Sequence, residues 1–99
     1  MAFRPIGPDR LQLLGTAPNP ARRRATVRYG IPKATARQGG ELQLRLYDVL
    51  GRQVRSVVTT AESGHHTHRL DLSGLASGTY VLRLTAEGQS VTRKLTVVQ

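Results

Sequence analysis

The sequence predicts an all-β chain, an antiparallel β-sandwich of about seven short strands, and three observations predict it. Apolar and polar residues alternate with a period of two, most cleanly where Leu42, Leu44 and Leu46 interleave with Gln43, Arg45 and Tyr47. Turn-forming residues such as Pro18-Asn19-Pro20, Asp48 with Gly51, Glu62-Ser63-Gly64 and Glu87-Gly88 break the chain at intervals a strand can fill. No segment carries a 3.6-residue apolar stripe over ten residues, so essentially no helix is expected. Strands joined by short turns bury one face only by stacking a second sheet on the first, and that requirement makes the sandwich.

Residues 1–10 carry Pro5, Gly7 and Pro8 among polar residues and are expected to be an extended linker remnant, leaving 11–99 as the one folded domain. Leu11–Gly15 is expected to be a first short strand, ended by Ala17-Pro18-Asn19-Pro20, since two prolines within three residues remove ladder donors and fix φ. Ala25–Ile31 follows, with Val27, Tyr29 and Ile31 on one face, Thr26 and Arg28 on the other, and Pro32 as its stop. Gly39-Gly40 turns the chain into a central hairpin over Leu42–Val54. There Asp48 bonds its own turn backbone, Gly51 takes positive φ, and Gln53–Val58 returns as the antiparallel partner.

The next strand is expected over His65–Leu72, its inward register set by Leu70 and Leu72, which puts His66 and His68 on the same side. Ser73-Gly74-Leu75-Ala76-Ser77-Gly78 is a tight loop with Leu75 as an apolar plug, and Gly78, like Gly51, is expected at positive φ. Thr79–Thr85 presents Tyr80, Leu82 and Leu84 on one face, and Glu87-Gly88 suits a two-residue hairpin. The last strand, Val91–Val98, has Val91, Leu95 and Val97 in register. Arg93 is an odd member of that face and predicts either a bulge or a side chain escaping at the sandwich edge. The core is expected to gather Leu42, Leu44, Leu46, Val54, Leu70, Leu72, Tyr80, Leu82, Leu84 and Leu95.

Composition excludes more than it specifies. Without cysteine there are no disulfides and no thiolate zinc site. No run approaches the roughly 18 apolar residues of a membrane span, and the first residues lack the apolar core of a signal peptide, so any export signal is expected outside this chain. Fifteen basic side chains against six acidic give +9, which invites a nucleic-acid or anionic-membrane reading. Apart from Arg22-Arg23-Arg24, however, the arginines are scattered singly, mostly at the polar positions of alternating strands. They read as a solvated basic exterior, and no nucleic-acid partner is expected.

Candidate chemistry is sparse. His66 and His68, i and i+2 on one strand face with His65 beside them, could present two imidazoles to one ion, but a zinc site wants three or four ligands and no acid has an evident claim as third. Ser63, Ser73 and Ser77 lie in glycine-rich turns without a strand–elbow–helix context, and turn chemistry already explains Asp48 and Asp71. No catalytic residue, metal or cofactor is expected. A sugar platform wants exposed aromatics, and there is no tryptophan; of the tyrosines, Tyr29 and Tyr80 fall on apolar faces and only Tyr47 points outward.

Four ordered motifs carry a resemblance: Pro18-Asn19-Pro20, Leu46-Tyr47-Asp48-Val49-Leu50-Gly51-Arg52-Gln53-Val54, Leu75-Ala76-Ser77-Gly78-Thr79-Tyr80 and Arg93-Lys94-Leu95. In this order and at these separations they closely resemble the type A C-terminal sorting domain of the type IX secretion system of Bacteroidetes-like bacteria, over Leu11 to Gln99. The resemblance implies an immunoglobulin-like domain that follows a larger cargo protein. It implies recognition in the periplasm by an outer-membrane translocon, and removal at the surface by a sortase-like peptidase that can attach the cargo to the cell. The cargo then ends at the cell surface or secreted. Position by position, Asn19-Pro20 match the family's leading turn, Tyr47, Asp48 and Gly51 its hairpin, Gly78 and Tyr80 the turn and strand that follow, and Lys94-Leu95 the start of its terminal signal stretch. Where such domains often finish on a basic residue, this chain reads Val97-Val98-Gln99. The alternative is a non-catalytic immunoglobulin-like binding module for a carbohydrate or protein partner.

Overall fold

The central hairpin forms as its alternation dictates. In a computed structural model that describes residues 10–36 and 40–99, strand β3 (Glu41–Tyr47) buries Leu42, Leu44 and Leu46 and turns at Asp48–Arg52 into β4 (Gln53–Thr60). The expected linker over 1–10, apart from Arg10, and Gly39 of the Gly39-Gly40 turn lie outside the described residues. On its other side β3 pairs with β6 (Gly78–Ala86), which pairs with β7 (Gln89–Val97), giving a four-stranded antiparallel sheet in the order β4-β3-β6-β7. The second sheet has three antiparallel strands, β1 (Gln12–Ala17), β2 (Arg24–Ile31) and β5 (Gly64–Asp71), in the order β1-β2-β5.

The two sheets stack as the predicted immunoglobulin-like sandwich. Ala25, Val27, Tyr29, Ile31, Leu70 and Leu72 of the three-stranded side meet Leu42, Leu44, Leu46, Tyr80, Leu82, Leu84, Leu95 and Val97 of the other, all buried. Each fully buried leucine or valine contributes about 1.5–3 kcal/mol of transfer free energy, so this shared layer is what holds the sheets together. Beyond the strands, the described chain has a single helical turn, α1 (Lys33–Ala36), where the Ala36 amide donates to the Pro32 carbonyl at 3.1 Å.

Several expectations shift, each for a local reason. The first strand runs to Ala17 rather than Gly15, because a register shift between Leu13 and Gly15 absorbs the glycine and lets pairing with β2 continue. The last strand begins at Gln89 and ends at Val97, because the turn before it uses only Glu87 and Gly88, both at positive φ (49° and 74°), so pairing starts at once with Ala86 opposite Gln89. Val54 is half-buried rather than core: Leu46 faces Arg55 and Tyr47 faces Gln53, which leaves Val54 as the extra residue of a bulge.

Of the two outcomes posed for Arg93, the edge escape is the one found. The β6–β7 register is unbroken, and the Arg93 Nε donates to the Leu13 carbonyl at 2.7 Å, tying β7 to β1 across the gap between sheets. Gly78 corrects the sequence reading. It is the first residue of β6, paired with Val97, and does not have positive φ; in that loop Gly74 (φ 81°) makes the left-handed turn instead.

Candidate functional site

All four sequence motifs converge on one end of the sandwich. Antiparallel order brings the end of β3, the start of β6 and the end of β7 to the same pole, and the short link from Leu72 to Ser77 brings the end of β5 there as well. The β3–β4 turn is built by Asp48. Its Oδ1 accepts the amides of Leu50 and Arg52, both at 2.9 Å, and its Oδ2 accepts the Arg52 Nε at 2.8 Å. Its backbone closes the turn through Gly51 N–H to Asp48 O (3.0 Å) and Asp48 N–H to Arg52 O (2.9 Å), with Gly51 at φ 82°. These contacts, the Arg52 amide first, hold the Asp48 carboxyl below its ordinary value against a smaller opposing desolvation.

The end of β7 is clamped by the Pro18-Asn19-Pro20 motif. Thr96 N–H donates to the Asn19 Oδ1 at 3.2 Å, Ala21 N–H to the Thr96 carbonyl at 2.8 Å and Val98 N–H to the Ala21 carbonyl at 2.8 Å. A parallel bridge, Ala21 to Val97, thus covers what would otherwise be a bare sheet edge. From the other side, Gln99 N–H donates to the Ser77 Oγ at 2.9 Å and the Gln99 Nε2 to the Leu72 carbonyl at 3.0 Å. The Leu75–Tyr80 motif completes the pole: Leu75 packs on the core as the predicted plug, and the Tyr80 hydroxyl donates to the Ala76 carbonyl at 2.6 Å.

The predicted sorting residues therefore divide into two kinds. Asn19 and Pro20 lie in the clamp, Asp48 and Gly51 in the hairpin turn, and Gly78, Tyr80 and Leu95 in the paired strands, Tyr80 and Leu95 being register partners in the core. Tyr47 and Lys94 instead stand on the outer face of the four-stranded sheet, in one row with Val81 between them. The row above places Arg45 opposite Arg83, two like charges on neighbouring strands, and the Arg45 Nε is buried with no hydrogen-bond partner.

Sequence reasoning missed three contributors to this pole. Arg55 has an inward register, yet its guanidinium escapes to donate from Nε to the Asp71 carbonyl (2.9 Å) and from Nη2 to the Ser73 carbonyl, sealing β4 against the end of β5. Ser77 and Gln99 are the other two. Nothing in a period-two pattern announces a side chain that bonds a backbone 16 to 27 residues away. The histidines lie away from the pole. His66 stacks on Tyr29 (ring centroids 5.4 Å apart) with its Nε2 at 2.8 Å from the Glu62 carbonyl, and His68 faces a cleft it shares with Tyr29, Leu42, Leu44 and Val57. Burial, with a smaller contribution from the Glu62 charge, pushes the Tyr29 hydroxyl up. Among the described residues no three His, Asp or Glu side chains are grouped to hold a metal ion.

The sequence pattern of one family, the secretion system C-terminal sorting domain, matches residues 17–98. The chain belongs to that family. The match opens at Ala17, immediately before the clamp, and closes at Val98, so the sorting-domain pattern takes in all four motifs and all of the pole but Gln99. No individual curated protein is matched. The sorting domain's family is one of secretion signals carried by cargo, not of catalysts, and none of the described helices is long and apolar enough to cross a membrane.

Proposed function

We propose that this sorting domain is the signal by which the type IX secretion system carries a fused cargo from the periplasm across the outer membrane, with residues 1–10 as the join to the cargo and 11–99 as the signal domain. The observation that supports this reading is the clamped pole, where motifs far apart in sequence meet around Thr96–Gln99 and hold them against the folded sandwich. A receptor that reads such a pole reads a folded object, and the exposed Lys94, in its row with Tyr47, adds charge and an aromatic edge beside it. In this reading the outer-membrane translocon is the receptor. A sortase-like peptidase then releases the domain and leaves the cargo at the surface, attached or secreted.

Charge reversal at Lys94 tests the reading without touching the core. A periplasmic reporter fused ahead of the whole chain is expected to be exported in a host with this secretion system. The Lys94→Glu protein is expected to accumulate in the periplasm while its melting curve stays within about 0.5 kcal/mol of the parent, as for most exposed substitutions. Undiminished export of the Lys94→Glu protein would remove Lys94 from the signal. If deletion of residues 94–99 also left export intact, the terminal strand would not be the signal, and the binding-module alternative would become the better reading.

A further inference from the structure

The turn that Asp48 builds carries the two most exposed large apolar side chains among the described residues, Val49 at 78% and Leu50 at 74% of full exposure. Turn chemistry does not ask for them. Asp48 takes part in every bond that closes the turn, Gly51 supplies the positive φ, Leu50 gives only its backbone amide, and the intervening positions ordinarily favour polar residues. Two adjacent aliphatic side chains left in water cost solubility and are locally unused, which points to burial against something else. Their backbone is also locked: five hydrogen bonds converge on Asp48. A rigid apolar projection loses little conformational freedom when it docks, so its burial converts into affinity with small entropic cost.

We propose that Val49-Leu50 is a docking knob that enters an apolar socket with an acidic rim on the protein that reads this sorting domain; the proposal rests on the secretion reading above. The apolar half of the socket follows from the two side chains, with half-exposed Val98 at the same pole. The acidic rim follows from the basic side chains of the same pole: Arg52 on the turn itself, its side chain 74% exposed, and, at the β7 edge, the exposed Arg22 and Arg23 beside the Ala21 clamp, on a chain of net charge +9. A membrane is the other surface an apolar tip with basic neighbours suits. But anchoring at the lipid interface is led by Trp and Tyr, and a fluid bilayer does not reward a tip held in one shape. Two aliphatic side chains on a locked turn suit a shaped protein socket.

The test compares the export of reporter fusions carrying the whole chain as parent, V49S/L50S, R22E/R23E and V58S, the last removing the next most exposed large apolar side chain among the described residues, on β4. V49S/L50S is expected to reduce export at least tenfold with an unshifted melting temperature, R22E/R23E several-fold, and V58S not at all. Export of V49S/L50S at the parental level overturns the knob while leaving the sorting reading intact. Parental export of R22E/R23E overturns the acidic rim. Failure of the parent fusion to leave the periplasm overturns the sorting reading and the knob with it. Purified parent and V49S/L50S are also sedimented with phosphatidylglycerol vesicles. Equal binding supports the protein socket, and parental binding stronger by tenfold or more assigns the tip to lipid and overturns it.

Discussion

At the scale of single residues, the positions that matter most are those where backbone conformation or a fixed charge, not burial, sets the requirement. Gly51 and Gly78 make the contrast, since both sit in family motifs and both have open space where a Cβ would go. Gly51 holds φ 82° and Gly78 is the extended first residue of a strand. Gly51→Val is therefore expected to lower stability by about 1–3 kcal/mol, while Gly78→Ala stays within about 0.5 kcal/mol, as read from chemical denaturation midpoints. Equal losses would place the strain elsewhere. Asp48 sets a pH dependence of definite sign. Its folded carboxyl, like that of Asp71 with its Ser73 hydroxyl bond, titrates below the ordinary 3.8. The unfolded chain thus binds more protons in the window just under that value. The stability these groups contribute is full above 3.8 and is lost as pH falls through the folded value. Thermal melts should be flat at neutral pH and fall below about pH 4, and the fall should be shallower in Asp48→Asn, which starts from a lower plateau. A fall of the same depth in both proteins would remove Asp48 from the account.

Among the elements, β3 and β6 are the spine of the molecule. They lie in the middle of the four-stranded sheet, and Leu44 is paired directly with Leu84, and Leu46 with Leu82, all four buried. Leu44→Ala and Leu82→Ala are each expected to cost about 2–5 kcal/mol, lost transfer plus the cavity left behind, and an unchanged midpoint in both would refute the register. These elements were legible in the sequence because Leu42, Leu44 and Leu46 alternate without interruption, and Tyr80, Leu82 and Leu84 do the same. The start of β7 was not. Gln89, Ser90 and Thr92 carry no apolar period, and they become strand only because the Glu87-Gly88 turn delivers them into register with β6. Val54 misled in the opposite direction, since a bulge is invisible to an alternation that otherwise continues. The bonds of Arg55 and Arg93 were beyond sequence because each depends on which edges of the two sheets face one another. Gly78 was misjudged because Ser73–Gly78 holds two glycines, and the residues alone do not tell which of them reverses the chain.

For the whole molecule, four motifs in order were enough to name a family, and the match over residues 17–98 carries that identification. What the residues could not reveal is that the motifs share a place. Asn19 and Thr96 are 77 positions apart, and only the stacking of the sheets lets one cap the other. The pole is thus a product of the fold, and the account's central claim is that a folded domain with this pole sends its cargo out of the cell. The most direct measurement is the partition of a signal-peptide reporter between periplasm and exterior, with and without the chain fused behind it, in a host whose type IX secretion system is intact and in one where it is disabled. The account predicts the reporter outside only when both the chain and the intact system are present. A fused reporter that stays in the periplasm of the intact host, or that leaves the disabled one equally well, would contradict it.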